Sequence, residues 1–175
     1  RVAPWQQSRT RHIYLAHFRV RFHELDPLGH VNNAVYLNYL EQTAIDHAAA
    51  EGYDAATLRE LGGVFIARRH EITYLRPALE NEFLRVTTWP AEMSGARAIR
   101  AYEITRLVRA PGHSMPSDDI RDVSELATQD EVIVSARTEW AFVDTVSGRP
   151  RRIPLEVRDA FLFPSDASSK GIATS

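Results

Sequence analysis

The spacing of the apolar residues changes along this chain from a helical period to a strand period, and this change limits the folds that it can adopt. After Asn32, apolar and small side chains recur at intervals of three and four, at Val35, Tyr36, Tyr39, Leu40, Thr43, Ala44, His47 and Ala48. This spacing predicts a helix of about five turns with one apolar stripe, ended by Gly52. A second, short helix is predicted over residues 54–61, with Asp54 as its N-cap.

Strand patterns precede and follow these helices. Alternating apolar residues predict a half-buried strand over 13–22, with Phe22 on its apolar face. Four further segments, rich in β-branched and aromatic residues, are predicted strands: 64–74, 83–93, 97–108 and 132–143. Residues 153–163 fit either a terminal helix or a strand extension. One strand, one long helix and then four strands favour an α+β fold, in which an antiparallel sheet of about five strands wraps round one long central helix.

The length and composition fit a single domain over residues 1–175. The chain is 44% apolar and 25% charged, which allows a buried core of the size expected for a compact domain. Within it we expect a loose arm at residues 1–10, a surface insert at 109–130 and a flexible tail at 164–175. The insert is rich in Pro, Ser and Asp, and its residues 123–127 fit one helical turn.

Charge and cysteine content exclude several kinds of partner and site. The formal net charge is −2, so no overall basic field attracts nucleic acid or an anionic membrane. No run of about 18 apolar residues fits a membrane span. The chain has no cysteine, which excludes disulfides, thiolate metal sites and cysteine nucleophiles. A cytoplasmic location is the default expectation.

The segment "ELDPLGHVNNAVYLNYLEQ", residues 24–42, concentrates polar groups directly before the long helix. One interpretation is structural: Asp26 and Pro27 form a turn, and Asn32 or Asn33 caps the helix. The other is an active site, because the first amides of a helix lack intrahelical partners and lie at the positive end of the helix dipole. For the two asparagines these interpretations are compatible.

The order of residues in this segment resembles that of a known enzyme family. Asp-Pro-x-Gly followed by His-Val-Asn-Asn, a Tyr and an acidic residue within the helix is similar to the hotdog-fold acyl-CoA thioesterases, in particular the 4-hydroxybenzoyl-CoA thioesterase-like family. The segments "HFRVRF" and "ARRHEITYLRPALENEFLRVTTW" fit the same family pattern. The likeness is close over residues 16–108, and over 132–143 it extends to order and length only.

The resemblance implies a hotdog fold and hydrolysis of a thioester carried by coenzyme A (CoA) or an acyl-carrier protein. It implies no cofactor beyond the CoA that belongs to the substrate. The resemblance also implies a homodimer or a dimer of dimers. Independently of it, the unpaired backbone groups at the free edges of a five-stranded sheet favour sheet-to-sheet pairing between copies of the chain.

The resemblance also assigns roles to the residues of the turn and helix. Asp26 matches the family's catalytic carboxylate, which acts either as general base on water or as nucleophile. Asn33 lies where the amide that polarises the carbonyl is expected. His30 either orients the carbonyl or water, or is bonded to the backbone of the turn. Glu41 either faces the active site across the dimer or is solvated, and Glu24 is interpreted as a solvated strand end.

Contacts to the substrate are expected from the turn, the helix start and two arginines: Pro27, Gly29, Val31, Asn32, Tyr36, Arg68 and Arg76. Arg69, Arg97 and Arg100 are grouped with these two arginines. Together the five could bind the phosphates of CoA, because phosphate recognition favours clusters of arginine. The alternative is that these arginines lie on an exposed sheet surface, and that Tyr36 is a core residue.

No metal site is predicted, because the histidines in and beside the first strand, His12, His17 and His23, have no acidic partner at the spacing of metal ligands. Two other functions remain open at this point. A non-hydrolytic hotdog protein would bind acyl groups or CoA without cleaving them. A hydratase or dehydratase on the same fold would use a histidine with an acidic partner, and His30 is its candidate. The position of Asp26 favours hydrolysis.

Overall fold

The chain forms a five-stranded antiparallel sheet against which the long helix packs. The computed structural model describes residues 12–109 and 126–162. Its elements are β1 (Tyr14–Arg19), α1 (Asn33–Ala50), α2 (Ala55–Glu60), β2 (Gly63–Tyr74), β3 (Phe83–Ser94), β4 (Arg97–Arg109), β5 (Leu126–Asp144) and α3 (Leu155–Leu162). The strands lie in the order β1-β3-β4-β5-β2, so β1 and β2 are the two edges. The predicted α+β class and hotdog arrangement are confirmed.

Helix α1 buries the stripe that its spacing predicts. Its buried side chains are Tyr36, Tyr39, Leu40, Thr43, Ala44 and His47, and most of them join one core with residues of β3, β4 and β5. The side chain of Asn32 caps the helix by accepting the amide of Ala34 at 2.9 Å. Gly52 follows the helix with a φ of 85°, a left-handed conformation that glycine adopts without strain. The predicted cap and end are therefore confirmed.

The first strand is shorter than predicted. β1 ends at Arg19, which pairs with Phe83, the first residue of β3. Beyond that point Val20 still donates to the carbonyl of Glu82 at 2.9 Å and accepts the amide of Asn81 at 3.1 Å. Residues Phe22–Glu24 then form a 3-10 helix instead of continuing the strand. The strand predicted over 13–22 is thus wrong at its end, and Phe22 is 74% exposed.

The predicted insert at 109–130 is wrong at its C-terminal end. β4 runs to Arg109 and β5 already begins at Leu126, with these two residues paired. The predicted strand start at 132 is therefore six residues too late. The predicted helical turn at 123–127 is wrong at residues 126 and 127, which belong to β5. Backbone pairing with β4 extends the strand through a polar sequence, with register shifts near Thr105. Residues 110–125 lie outside the described residues, as do the predicted arm at 1–10 and tail at 164–175.

The remaining elements lie close to their predicted bounds. β2, β3 and β4 begin and end within one residue of the predicted strands, and the side chain of Asp54 caps α2 by accepting the amide of Thr57 at 2.8 Å. Of the two possibilities for 153–163, the structure contains the helix, α3. None of the helices in the described ranges is long and apolar enough to cross a membrane.

Candidate active site

The turn before α1 is organised by hydrogen bonds to Asp26. Its carbonyl oxygen accepts the amide of Gly29 at 3.0 Å, and its amide donates to the carbonyl oxygen of His30 at 2.7 Å. Oδ1 of the side chain accepts the amides of Leu28 and His30 at 2.9 and 3.1 Å. Pro27 suits the second position of this turn. The structural interpretation of Asp26 therefore holds for Oδ1, whereas Oδ2 has no hydrogen-bond partner among the described residues.

One amide at the start of α1 is also left without a partner. The amide of Val31 donates to a carbonyl of the β2–β3 connection at 2.9 Å, and that of Asn32 donates to the carbonyl of Glu24 at 2.9 Å. The amide of Ala34 is bonded to the capping side chain. The amide of Asn33 has no hydrogen-bond partner within the described ranges. It is therefore the amide in this turn that remains available to a ligand.

Asp26 and Asn33 line one small cavity between the turn and the β2–β3 connection. The cavity has a volume of about 220 Å³ and is lined by Asp26, His30, Val31, Asn33, Tyr36, Tyr74, Leu75, Arg76 and Pro77. Sequence reasoning missed Tyr74, whose hydroxyl donates to the carbonyl oxygen of Asn33 at 2.8 Å. The only available signal was its position at a strand end before the Arg-Pro-Ala hairpin.

The other predicted site residues lie elsewhere. Three of them form the turn and the cap without lining this cavity: Pro27, Gly29 and Asn32. Arg68 is an exposed residue at a β-bulge in β2, between Ala67 and Arg69. Glu41 lies two turns along α1, where its Oε1 is 3.5 Å from Nε2 of His70. Within one chain, the structure does not bring Arg68 and Glu41 to the cavity.

Three other predicted site residues line the cavity with Asp26 and Asn33: His30, Tyr36 and Arg76. His30 joins the turn through its backbone, and its ring has no hydrogen-bond partner among the residues that the structure describes. Tyr36 is a core residue, 2% exposed, and its hydroxyl oxygen accepts the amide of Ala78 at 3.0 Å. Arg76 is exposed and pairs with Glu131 at 3.1 Å. Tyr36 is therefore a core residue that also lines the cavity, and its contact with the substrate stays a prediction.

Glu24 is buried, so its interpretation as a solvated strand end is wrong. Its Oε2 accepts the hydroxyl of Tyr39 at 2.6 Å and the amide of Arg21 at 2.8 Å, and its Oε1 accepts the guanidinium of Arg21 at 2.7 Å. Burial alone would raise the pKa of Glu24, but hydrogen bonds from Tyr39 and Arg21 hold it below its ordinary value. Because the carbonyl of Glu24 also accepts the amide of Asn32, this network fixes the start of α1.

We expect Tyr39→Phe to lower the free energy of unfolding by about 1.5–3 kcal/mol, because a buried carboxylate loses a charge-assisted hydrogen bond. Chemical denaturation measures this loss. Tyr53→Phe is the matched control, since the hydroxyl of Tyr53 has no hydrogen-bond partner in the described part of the chain, and it should change stability by less than about 0.5 kcal/mol. Equal losses in the two variants would contradict the assigned role of Tyr39.

A second group of titratable residues lies at the other end of α1. One ligand atom from each of His12, His47 and Glu51 lies within 4.8 Å of the others, and Nε2 of His12 is 3.2 Å from Oε1 of Glu51. The expectation that His12 has no acidic partner is therefore wrong, because the fold supplies one from a distant part of the sequence. Nδ1 of His47 accepts a hydrogen bond from Nη1 of Arg100 at 2.8 Å. A neutral imidazole that accepts at Nδ1 carries its proton on Nε2, so this arrangement does not favour a metal ion.

The buried imidazole of His47 makes stability depend on pH. Burial, followed by the charges of Arg100 and His12, lowers the pKa of His47 from 6.5 to about 3. Between these values the unfolded chain binds a proton here that the folded chain does not, so lowering the pH favours unfolding by about 1.4 kcal/mol per pH unit. We expect His47→Asn, which keeps an acceptor for Arg100, to lose this contribution. Urea denaturation between about pH 3 and 6.5 measures the free energy of unfolding of both proteins. The same dependence of that free energy on pH in the variant and the wild type would refute the role of His47.

Comparison with known proteins gives three kinds of match. A model of the thioesterase-like superfamily matches residues 20–161. The long-chain acyl-CoA thioesterase FadM of Escherichia coli K12 is 31% identical over 88 residues, which are 50% of this chain and 65% of that protein. The alignment thus spans somewhat less than two thirds of this relative's length.

Solved structures with the same fold come from distant relatives. A hypothetical protein from Aquifex aeolicus aligns with a TM-score of 0.67 and 19% identity, over 85% of this chain and 98% of its own. A 1,4-dihydroxy-2-naphthoyl-CoA thioesterase from Synechocystis aligns with a TM-score of 0.67 and 15% identity, over 85% and 95% of the two chains. At these identities the likeness shows the fold alone.

Proposed function

The chain belongs to the thioesterase-like superfamily, and we propose that it hydrolyses the thioester bond of an acyl-CoA to a carboxylic acid and free CoA. One observation carries this proposal: Asp26 and Asn33 line the same cavity, and neither Oδ2 of Asp26 nor the amide of Asn33 has a hydrogen-bond partner among the described residues. Thioester hydrolysis requires a group that activates or supplies the nucleophile and a donor for the oxyanion. The name of the relative FadM supports an acyl-CoA substrate, and an acyl-carrier protein remains the alternative carrier.

In the general-base route, Oδ2 of Asp26 takes a proton from a water molecule whose oxygen attacks the carbonyl carbon. The carbonyl oxygen becomes an oxyanion and accepts a hydrogen bond from the amide of Asn33, at the positive end of the α1 dipole. The carbon–sulfur bond then breaks, and the proton passes to the leaving thiolate. In the nucleophilic route Oδ2 attacks the carbonyl carbon, the carbon–sulfur bond breaks and CoA leaves as a thiolate that takes a proton from water. A second water molecule then hydrolyses the resulting anhydride to the acid and the free carboxylate of Asp26. Both routes use the same two groups.

The remaining residues of the cavity are given supporting roles in this proposal. The hydroxyl of Tyr74 holds the carbonyl of Asn33, and His30 presents an unbonded ring to the thioester. Arg76 and Arg68 remain candidates for the phosphates of CoA at the surface. A hydratase would instead need a histidine ring bonded to a carboxylate, and the ring of His30 forms no such bond with described residues. This observation favours hydrolysis over that alternative.

We further propose a homodimer that forms through β2. This edge strand has 12 residues, whereas the opposite edge, β1, has 6. Large apolar side chains are exposed on the β2 side, with Ile45 58% and Ile66 44% accessible, and a long apolar edge favours pairing with another copy. Glu41 lies beside His70 near the middle of β2, so we assign it to the joint between the protomers. A dimer of dimers would need a further surface.

The release of free thiol from a panel of acyl-CoAs, with benzoyl, short, medium and long acyl groups, tests the proposed function. Turnover of at least one of them is expected. If the wild-type chain hydrolyses no acyl-CoA but hydrolyses the thioester of an acylated carrier protein, the proposed carrier changes from CoA to that protein. The proposed reaction, thioester hydrolysis, then stands. No turnover of either, together with measurable binding of acyl-CoA, would replace hydrolysis with the non-hydrolytic binding function.

A further inference from the structure

A second, larger cavity lies towards the C-terminal end of α1. Its volume is about 930 Å³, and it extends between α1, α2, α3 and the sheet. Its wall is mostly apolar, formed by residues such as Ile45, Ala48, Leu58, Phe65, Met93 and Phe161. A cavity of this size and composition fits an acyl group of medium length.

One partly buried charged group lines this apolar wall without a charged partner among the described residues. Nη1 of Arg100 donates to Nδ1 of His47 at 2.8 Å and to Oγ1 of Thr88 at 3.3 Å, and Cζ lies 5.6 Å from the centre of the Phe161 ring. Nε and Nη2 have no hydrogen-bond partner among the described residues. The expectation that this arginine lies on an exposed sheet surface is therefore wrong.

The lack of a carboxylate partner distinguishes Arg100 from its neighbours on β4. Arg97 pairs with Glu139 at 2.9 Å and Arg106 pairs with Glu82 at 3.1 Å, whereas no described carboxylate lies within ion-pair distance of Arg100. Burial lowers the pKa of Arg100, but an arginine keeps its charge even so. An enclosed charge without a partner is unfavourable, so a ligand that brings an acceptor oxygen would be bound selectively.

The acidic residues on the same wall are occupied by other contacts. Asp54 caps α2 by accepting the amide of Thr57 at 2.8 Å. Oδ1 of Asp144 accepts amides of the following turn at 2.8 and 2.9 Å. Glu41 lies 3.5 Å from His70. None of the three pairs with Arg100, so this cavity-lining residue has no acidic partner among the described residues.

The proposed dimer places this cavity beside the active site of the other protomer. If two copies of β2 pair antiparallel about a two-fold axis near Arg68, the Gly63 end of one strand lies next to the Tyr74 end of the other. Residues 64–67 line the large cavity, and Tyr74 lines the small one. A thioester held in the small cavity of one protomer can therefore extend its acyl group into the large cavity of the partner.

We propose that Arg100 binds an oxygen at the end of the acyl group remote from the thioester, so that the preferred substrates carry a carboxylate or carbonyl there. This inference rests on the proposed thioesterase activity. A binding site that donates hydrogen bonds to a polar group of the substrate discriminates strongly against an analogue without that group, because the donors of the site are then left unpaired. This discrimination is stronger than that of an apolar pocket against one extra methylene. Arg100 is thus a specificity-determining residue.

Three acyl-CoAs of equal chain length test this proposal: suberoyl-CoA, its monomethyl ester and octanoyl-CoA. We expect kcat/KM of the wild type to be about ten- to a hundredfold higher for suberoyl-CoA than for octanoyl-CoA, the range for a hydrogen bond to a charged group. The methyl ester distinguishes the two oxygen sources: it matches suberoyl-CoA if a carbonyl suffices, and matches octanoyl-CoA if a carboxylate is required. Arg100→Met should remove the preference, and Arg97→Met, on the same strand, should retain it.

Two results would overturn the inference, and they have different meanings. If the wild type hydrolyses octanoyl-CoA as well as both oxygenated substrates, or Arg100→Met slows all three equally, the specificity is refuted and the thioesterase function stands. If no thioester is hydrolysed, both fail. The preference of the wild type is measured without any variant, so it decides the question even if Arg100→Met does not fold.

Discussion

Asp26→Asn is expected to lower kcat/KM for acyl-CoA hydrolysis by about a hundredfold or more while leaving the fold intact. Asparagine keeps an Oδ1 that accepts the amides of Leu28 and His30, which organise the turn. It replaces Oδ2 by an amide nitrogen, which neither takes a proton from water nor attacks a carbonyl. The substitution therefore separates the two roles of Asp26, because it preserves the structural one and removes the chemical one.

Thiol release and denaturation of the same preparation measure these two roles together. Asp159→Asn is the matched control, since Asp159 is an exposed residue of α3 that pairs with its neighbour Arg158 at 3.0 Å and with no other described residue; its activity should equal that of the wild type. Full activity of Asp26→Asn would mean that Asp26 acts in the turn alone. A loss of activity accompanied by a loss of stability would be structural rather than catalytic.

The parts of the fold that the sequence predicts well are those set by local periodicity. The stripe of α1 follows from the helical period, and its ends follow from Asn32 and Gly52, whose conformations depend on their own backbone and side chain. The strands from β2 to β4 follow from β-branched and aromatic residues between turn residues. These signals require no knowledge of distant parts of the chain.

The errors occur where a distant partner decides the structure. Glu24 is buried because Tyr39 donates to it, and His12 gains an acidic partner because the fold brings Glu51 to it. β5 begins early because β4 offers backbone partners to a polar segment. In each case one decisive partner lies 15 or more residues away, although Glu24 also has a near partner in Arg21. The local spacing of residues does not indicate such distant partners.

Arg100 is a different kind of error, since a local signal was present. Ala98, Tyr102 and Ile104 are buried, and Arg100 lies between them at a spacing of two. Period-two alternation therefore places Arg100 on the inward face of β4. The same rule could have identified it as an inward-pointing charge, the kind of exception to burial that most often marks a binding site.

Ile66→Glu is expected to convert the proposed homodimer into a monomer and to remove most of its activity. Ile66 is an exposed apolar residue on edge strand β2, and the two-fold axis introduces the new charge twice. At about 2 kcal/mol or more for each unpaired charge in an interface, the dimer dissociation constant should rise by about a thousandfold or more. Light scattering coupled to size-exclusion chromatography measures the change.

Ile66 also lines the larger cavity, so Ile66→Glu changes the cavity as well as the proposed interface. Two control variants separate these effects. Ile66→Ala keeps the wall apolar and should remain dimeric. Leu15→Glu adds the same charge to the opposite edge strand, at a residue that is 46% exposed, and should leave the dimer unchanged. If each active site needs both protomers, the specific activity of Ile66→Glu must rise with protein concentration as dimers re-form. A dimeric Ile66→Glu, or a monomer with full activity at every concentration, would show that one chain holds a complete site.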